Sequence, residues 1–478
     1  MSKRSMPKPG VSRVGCLAEP QVVAMELLKT ILVTLFTLGI LVSVHEFGHF
    51  WVARRCGVKV LTFSVGFGRA LWRRVGRDGT EYVIAAIPLG GYVKMLDERE
   101  APVPPEELSA AFNRQPVLSR MAIVAAGPFA NFILAVLVFY ALYMVGVQGV
   151  APVIGDIEPE SPAAVAGLRS GDELVSVDGK PTTTRQAVSM QLLKRLGESG
   201  EIRLGLAAAG AEGSREVVIP ITDWLSDQEE PDLFEGLGLA FELPVIEPRI
   251  SEVVAGSAAE SAGLRSDDRI LSVDGSSVST WEEWVRVVRA SPGIALPLEV
   301  EREGAIIALT LVPARVEQPD GLATGQAGVS AVIPEWPEQY LRAERYGPVA
   351  AWRPALGQTW ALVVFTVDST RKMIEGLISP KNLSGPITIA KVAAASARSG
   401  LESYIGFLAL LSISLGVLNL FPIPVLDGGH LLFCLVELVK GSPVSERVQM
   451  LGYQMGLLIL VSVMALALFN DISRFAAN

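Results

Sequence analysis

His45, Glu46 and His49 stand together in the pentapeptide His45-Glu46-Phe47-Gly48-His49. In a helix, residues four apart share a face, so the two imidazoles can hold one zinc ion (Zn2+) while the glutamate between them acts on a water as general base. The chain has 3 histidines, and two of them are here. A catalytic zinc with one position left open needs a third protein ligand. Asp427 is the best candidate, in the segment Asn419-Leu420-Phe421-Pro422-Ile423-Pro424-Val425-Leu426-Asp427-Gly428-Gly429-His430. There Pro422 and Pro424 interrupt an apolar run, and the two glycines permit a tight turn that aims a carboxylate inward. His430 is a rival ligand, for which a place behind the ligands is preferred. Cys56 has no second cysteine nearby and is a weaker candidate. The plain alternatives are a structural histidine pair and an Asp-Gly-Gly loop turn.

The elements that must carry these residues are apolar. Runs at about Leu27 to Val52, Val117 to Val147, Tyr404 to Phe421 and Met450 to Phe469 are long enough to cross a bilayer. His45, Glu46 and His49, ionisable side chains inside the first run, are costly to bury in lipid, which makes them functional candidates in their own right. Gly127-Pro128 and Asn131 break the second run, so its crossing portion is expected to begin after Pro128, preceded by an entry turn. Hydrophobic residues make up 50% of the chain, yet 19% charged residues with 45 Gly and 30 Pro require a large water-exposed part.

That part is the stretch from Val150 to Gly400, where 35 acidic residues face 22 basic ones. Such an acidic region carries no basic stripe and excludes nucleic acid as a partner. Arg54, Arg55, Lys59, Arg69, Arg73, Arg74 and Arg77 follow the first span and place its metal-binding end on the cytoplasmic side, with the acidic region outside. Lys3, Arg4, Lys8 and Arg13 pull the other way; Met25, which begins the span, is an alternative start, so residues 1–24 are read as an N-terminal extension. No cysteine falls within the exported region, which must fold on its apolar core alone.

The exported region repeats itself. Ala166-Gly167-Leu168-Arg169-Ser170 recurs as Ala262-Gly263-Leu264-Arg265-Ser266, and Ser176-Val177-Asp178-Gly179 as Ser272-Val273-Asp274-Gly275. Each copy reads as a short helix ending at glycine, a turn, and a strand closed by Asp-Gly. The pattern resembles PDZ domains of bacterial envelope proteases, with units expected at 150–243 and 244–316. A strand at Val153 to Ile157, and its counterpart at Ile250 to Val254, would then border a peptide groove. Two domains that only screen the site are the alternative. Residues Ala350 to Ile378 read as interfacial amphipathic helices, with an ordinary core helix as the alternative.

Taken in order from Met25, these motifs resemble the site-2 protease family of intramembrane zinc metalloproteases. The likeness also rests on Gly79-Thr80-Glu81-Tyr82-Val83-Ile84, Pro88-Leu89-Gly90-Gly91-Tyr92-Val93-Lys94-Met95 and Leu383-Ser384-Gly385-Pro386. It implies a polytopic α-helical membrane protein of four transmembrane helices, with two periplasmic PDZ-like α/β domains between the second and third spans. The membrane core would comprise 25–149 and 402–478, joined to the units by 317–401. His45, His49 and Asp427 would bind zinc, and Glu46 would activate water. Phe63 to Gly68 and Glu81 to Met95 would form a membrane-associated hairpin, its glycines Gly66, Gly68, Gly90 and Gly91 beside an unwound substrate strand. Asn419, Pro422 and Pro424 would shape the substrate passage. The implied substrate is a single-span anti-sigma factor already trimmed outside the cell membrane, or a leftover signal peptide. The implied setting is the lipid bilayer of a Gram-negative inner membrane. A membrane-anchored PDZ scaffold without activity and a membrane enzyme acting on a non-peptide substrate are the competing functions.

Overall fold

The computed structural model describes residues 20–477 apart from 208–212, 227, 229–230 and 318–321. Most of the expected extension, residues 1–19, lies outside the described residues; Pro20 already begins helix α1 (Pro20–Arg55). An apolar run free of internal proline folds as one long helix because every backbone group is then paired within the segment. Gly57, at a φ of 81°, turns the chain out of it.

Strands β1 (Val60–Val75) and β2 (Glu81–Met95) follow, and their pairing is folded on itself. Residues Thr62 to Val65 pair on one side with Glu81 to Ile84 and on the other with Gly91 to Lys94, while Trp72 to Val75 pair with Glu81 to Ile84. The expected hairpin is therefore a small sheet of four segments. One of its outer segments, Gly91 to Met95, has no strand partner on its far side among the described residues.

Helix α2 (Val117–Val145) runs unbroken through Pro128, so the entry turn expected before it belongs to the same helix. Proline removes one backbone donor, a loss that neighbouring helices can absorb in a membrane bundle. Here the Ser412 hydroxyl donates to the Asn131 carbonyl at 2.9 Å, tying this part of α2 to a later helix.

Strand β3 (Val147–Val150) leads to the first repeat unit: β4 (Ile154–Ile157), α3 (Pro162–Val165), β5 (Glu173–Val177), β6 (Lys180–Pro181), α4 (Arg185–Leu193), β7 (Gly200–Ala207), β8 (Ser214–Ile221) and β9 (Leu239–Phe241). The second repeats it as β10 (Ile250–Val253), α5 (Ala258–Ser261), β11 (Arg269–Val273), β12 (Ser276–Ser277), α6 (Trp281–Ala290), β13 (Leu296–Arg302) and β14 (Ala305–Leu311), then β15 (Ala314–Glu317), β16 (Ala323–Gln326) and β17 (Val329–Ala331). Both main sheets have the same order, β6-β5-β7-β8 and β12-β11-β13-β14. The repeat is carried by matched core positions. Leu174, Val177, Val188 and Leu192 are buried in the first unit, and Ile270, Val273, Trp284 and Val288 in the second. Asp178 and Asp274 hold φ near 50°, each followed by a glycine at positive φ, as a tight Asp-Gly hairpin requires. Buried Asp172 and Asp268 each take a 2.6 Å ion pair, from Arg215 and Arg302.

Two expectations change. Strand β17 pairs with β10, so the second unit runs to Ala331 rather than ending at 316. The strands expected to border the grooves are interior: β4 lies between β9 and a bridge from Val153 to Glu173, and β10 between β17 and a bridge from Arg249 to Arg269. The outer members of these pairs are β9 and β17.

Strand β18 (Leu341–Glu344) returns antiparallel to β3, so both units hang from one two-stranded stalk. Helix α7 (Trp352–Ile374) packs Ala355 and Leu362 against Ala135 and Phe139 of α2, while Trp360, Val364 and Val367 stay exposed. It is a single helix, amphipathic as expected, with a core-facing side. Its buried Lys372 pairs with Glu198 of the first unit at 2.6 Å. Helix α8 (Pro386–Arg398) begins at the Leu383 to Pro386 motif, where Asp471 accepts the Gly385, Ile387 and Thr388 amides. The bundle closes with α9 (Leu401–Asn419), α10 (Asp427–Lys440) and α11 (Glu446–Ala477). Among the described residues, four helical segments are long and apolar enough to cross a membrane: Leu27–Arg55, Val117–Val145, Leu401–Asn419 and Glu446–Arg474.

Candidate metal centre

The HExxH turn of α1 meets the first residue of α10. His45 Nε2 lies 3.2 Å and His49 Nε2 3.5 Å from Asp427 Oδ2, and the two imidazole nitrogens are 3.2 Å apart. Both histidines are buried, and the three donor atoms all lie within 4.8 Å of one another. Asp427 opens α10, where the partial positive charge of a helix N-terminus suits a carboxylate. Its Oδ2 is buried without a hydrogen-bond partner. A carboxylate oxygen and two imidazole nitrogens converging this closely repel one another unless a cation or shared protons lie between them. Two histidines and one carboxylate make a donor set suited to a catalytic zinc with an open position. The residues present therefore fit the metal.

Glycines make the approach possible. A Cβ on Gly48 would fall 2.2 Å from the Ala126 carbonyl oxygen, and one on Gly127 would fall 2.2 Å from the His49 ring. Helices α1 and α2 thus touch backbone to backbone at the level of the histidines. Gly428 and Gly429 let α10 fold back on the preceding loop, their Cβ positions lying 2.2 Å from Phe421 O and 2.4 Å from Pro424 Cα.

Each histidine is held from behind. His49 Nδ1 is 2.9 Å from the Ile123 carbonyl, so it carries the proton and donates it there, leaving Nε2 for a metal. His45 Nδ1 lies 3.2 Å from the Asn131 amide group, whose Oδ1 is buried without a partner. Turning that carboxamide over places Oδ1 against the ring, where it accepts the Nδ1 proton; oxygen and nitrogen of an amide are assigned by such networks. Asn131 is fully buried. Replacing Asn131 with leucine is expected to weaken zinc binding by roughly 10- to 100-fold, read by competition with a chelator; unchanged affinity would remove the residue from this role.

Glu46 sits one residue from His45, half-buried, facing the four-segment sheet. A Cβ on Gly91 would lie 3.1 Å from Glu46 Cγ and 2.9 Å from Val42, so this outer sheet segment runs directly past the glutamate. Gly90 is packed under the Phe67 ring. Gly66 and Gly68, at φ of 96° and 84°, lie against Ile87 at the far turn. Asn419 ends α9, and Pro422 is exposed in the loop that follows. Pro424 packs on Gly452 and Gly456 of α11. His430 is exposed, 3.5 Å from the Tyr453 hydroxyl, and outside the three-ligand group; Cys56 packs just beyond the C-terminal end of α1 among Phe50, Val58 and Val60. Gly127 and Asn131 were visible in the sequence as interruptions of an apolar span, which is the signal that could have marked them as part of the site.

The family model described as peptidase family M50 matches residues 33–463. The chain is 50% identical over 440 residues to "Regulator of sigma E protease" of Salmonella typhi, covering 92% of this chain and 97% of that protein. It is 48% identical over 437 residues to "Regulator of sigma-E protease RseP" of Escherichia coli (strain K12), covering 91% and 97%. It is 48% identical over 450 residues to "Protease RseP" of Yersinia pestis, covering 94% and 100%. With the HExxH helix and a distant aspartate meeting inside a bundle of apolar helices, and with likeness across nearly its whole length, the chain belongs to peptidase family M50, the site-2 proteases.

Proposed function

We propose that the chain is a zinc-dependent intramembrane endopeptidase that cuts the transmembrane segment of a single-span anti-sigma factor already trimmed on its periplasmic side. It would work in the inner membrane of a Gram-negative bacterium, with the paired units, read as PDZ-like, in the periplasm. The observation that carries the reading is the meeting of His45, His49 and Asp427 beside Glu46 within the helix bundle. Zinc held by these three residues supplies Lewis-acid chemistry, polarising a carbonyl and acidifying a water. Glu46 accepts the proton released as the water oxygen bonds to the peptide carbon, and returns it to the departing nitrogen as the C–N bond breaks.

A substrate helix keeps its carbonyls in internal hydrogen bonds, so it must be opened before it can react. The unpaired edge at Gly91 to Met95 offers main-chain partners to an extended segment immediately beside Glu46. This is what an endopeptidase working on a membrane helix requires, and neither an inactive scaffold nor a non-peptide enzyme needs such an edge. Incubating the purified protein with a single-span peptide, with and without a zinc chelator, tests the reading. Chelator-sensitive cleavage within the apolar segment is expected, and cleavage that survives full zinc removal would end it.

We assign the two units the role of a size filter over the outward approach to the site. Because Val150 and Leu341 are paired neighbours, Pro152 to Gln339 can be replaced by a two-residue turn without breaking the stalk. The shortened protein is expected to cut an untrimmed single-span substrate while retaining activity on a trimmed one. If trimmed substrate is no longer cut by a folded, zinc-loaded protein, the units recruit substrate, and the outer strands β9 and β17 become the contacts to alter.

A further inference from the structure

Helix α10 carries Asp427 at its first residue, packs along α2 and sets its Phe433 ring against Tyr453 of α11. Leu432, Leu435, Val436, Leu438 and Val439 are all exposed apolar side chains, as expected of a lipid-facing surface. Its far end is different. Glu437 takes a bidentate ion pair from Arg120 of α2, with Nη2 to Oε1 at 2.6 Å and Nη1 to Oε2 at 3.1 Å. The two side chains are only 16% and 14% exposed. The third arm of the fork is also held, Arg120 Nε donating to the Gln115 carbonyl at 3.1 Å. Arg120 stands one turn before Ile123, whose carbonyl orients His49.

We propose that the Arg120–Glu437 pair is a register lock that sets the position of α10 along α2 and so carries Asp427 to the two histidines. Glu437 lies ten residues beyond Asp427, about 15 Å along the helix axis. A slip by one turn would move the carboxylate by about 5.4 Å, while a zinc–oxygen bond spans only about 2.0–2.2 Å. The same slip would separate two charges at the edge of an apolar bundle, where an unpaired charge is costly. A planar fork on a carboxylate also constrains geometry more tightly than apolar contact can. The pair therefore penalises the displacement that the metal site cannot tolerate. Both residues are positioning residues that act through Asp427.

The proposal rests on the zinc-protease reading, and its test reads metal rather than cleavage. Full-length protein in detergent micelles is loaded with zinc, and the rate of zinc loss to a coloured chelator is measured beside thermal unfolding. Glu437→Gln and Arg120→Gln, made singly, are expected to release zinc about tenfold faster or more. The exchanged pair, Arg120→Glu with Glu437→Arg, is expected to return the rate to within about threefold of the parent. An apolar pair, Arg120→Met with Glu437→Leu, guards against simple misfolding: it should unfold near the parent temperature and still lose zinc quickly. Single variants that release zinc at the parental rate overturn the proposal. So does an apolar pair that retains zinc as the parent does, since packing alone would then suffice. A parent protein that holds no zinc overturns both this proposal and the metalloprotease reading, whereas unchanged variants of a zinc-bound parent overturn this one alone.

Discussion

Exchanging Glu46 for glutamine is expected to leave zinc bound and to lower peptide cleavage by roughly 10²- to 10⁴-fold. The glutamate is not among the three atoms that converge on the metal position, so its loss removes no ligand. The amide keeps the size of the side chain and its place beside Gly91, so the neighbouring sheet segment should not shift. What it cannot do is accept a proton from water. Metal analysis and cleavage of a single-span peptide, made on the same preparation, decide the matter. A variant that has lost its zinc would make Glu46 a structural support of the site, and one that remains fully active would remove it from the chemistry.

Asp427→Asn is expected to fail in the opposite order, with zinc lost first and activity following. A neutral amide is a poorer zinc ligand than a carboxylate. The aspartate also supplies the negative charge among the three donors, its buried Oδ2 facing both imidazoles without another partner. The loss in zinc affinity should reach at least about 100-fold, the upper end of what removing a mere supporting contact costs. Retained affinity, measured by chelator competition, would shift the third-ligand assignment to His430. The geometry argues against that outcome, because His430 lies beside Tyr453 and outside the group of three converging donors.

The two predictions separate the residue that handles the proton from the residue that holds the metal. They also part the protease from its competitors. An inactive scaffold has no reason to bring Asp427 across the bundle to a turn of α1 nearly four hundred residues earlier in the chain.

Much of this protein could be read from residue order alone. The i, i+4 histidines needed only the geometry of a helix, the apolar spans only their length, and the repeat only its fixed offset, because each is a local or periodic property of the chain. Asp427 was legible because an acid beside two glycines, after broken apolar structure, has few ordinary uses in a membrane. The tertiary structure decided what depends on approach between distant segments. Gly48 and Gly127 look like ordinary small residues until the His49 ring and the Ala126 carbonyl occupy the space where their side chains would be. Pro128 suggested a break, yet the helix continues through it, and Ser412 of a neighbouring helix bonds the Asn131 carbonyl about one turn on. The hairpin folds into four segments because β1 pairs with both ends of β2, a long-range choice that alternation along either strand cannot encode. The same holds for β17, whose three residues complete the second unit from beyond its repeated core, and for Arg120 and Glu437, two charges whose meaning exists only once α2 and α10 lie side by side.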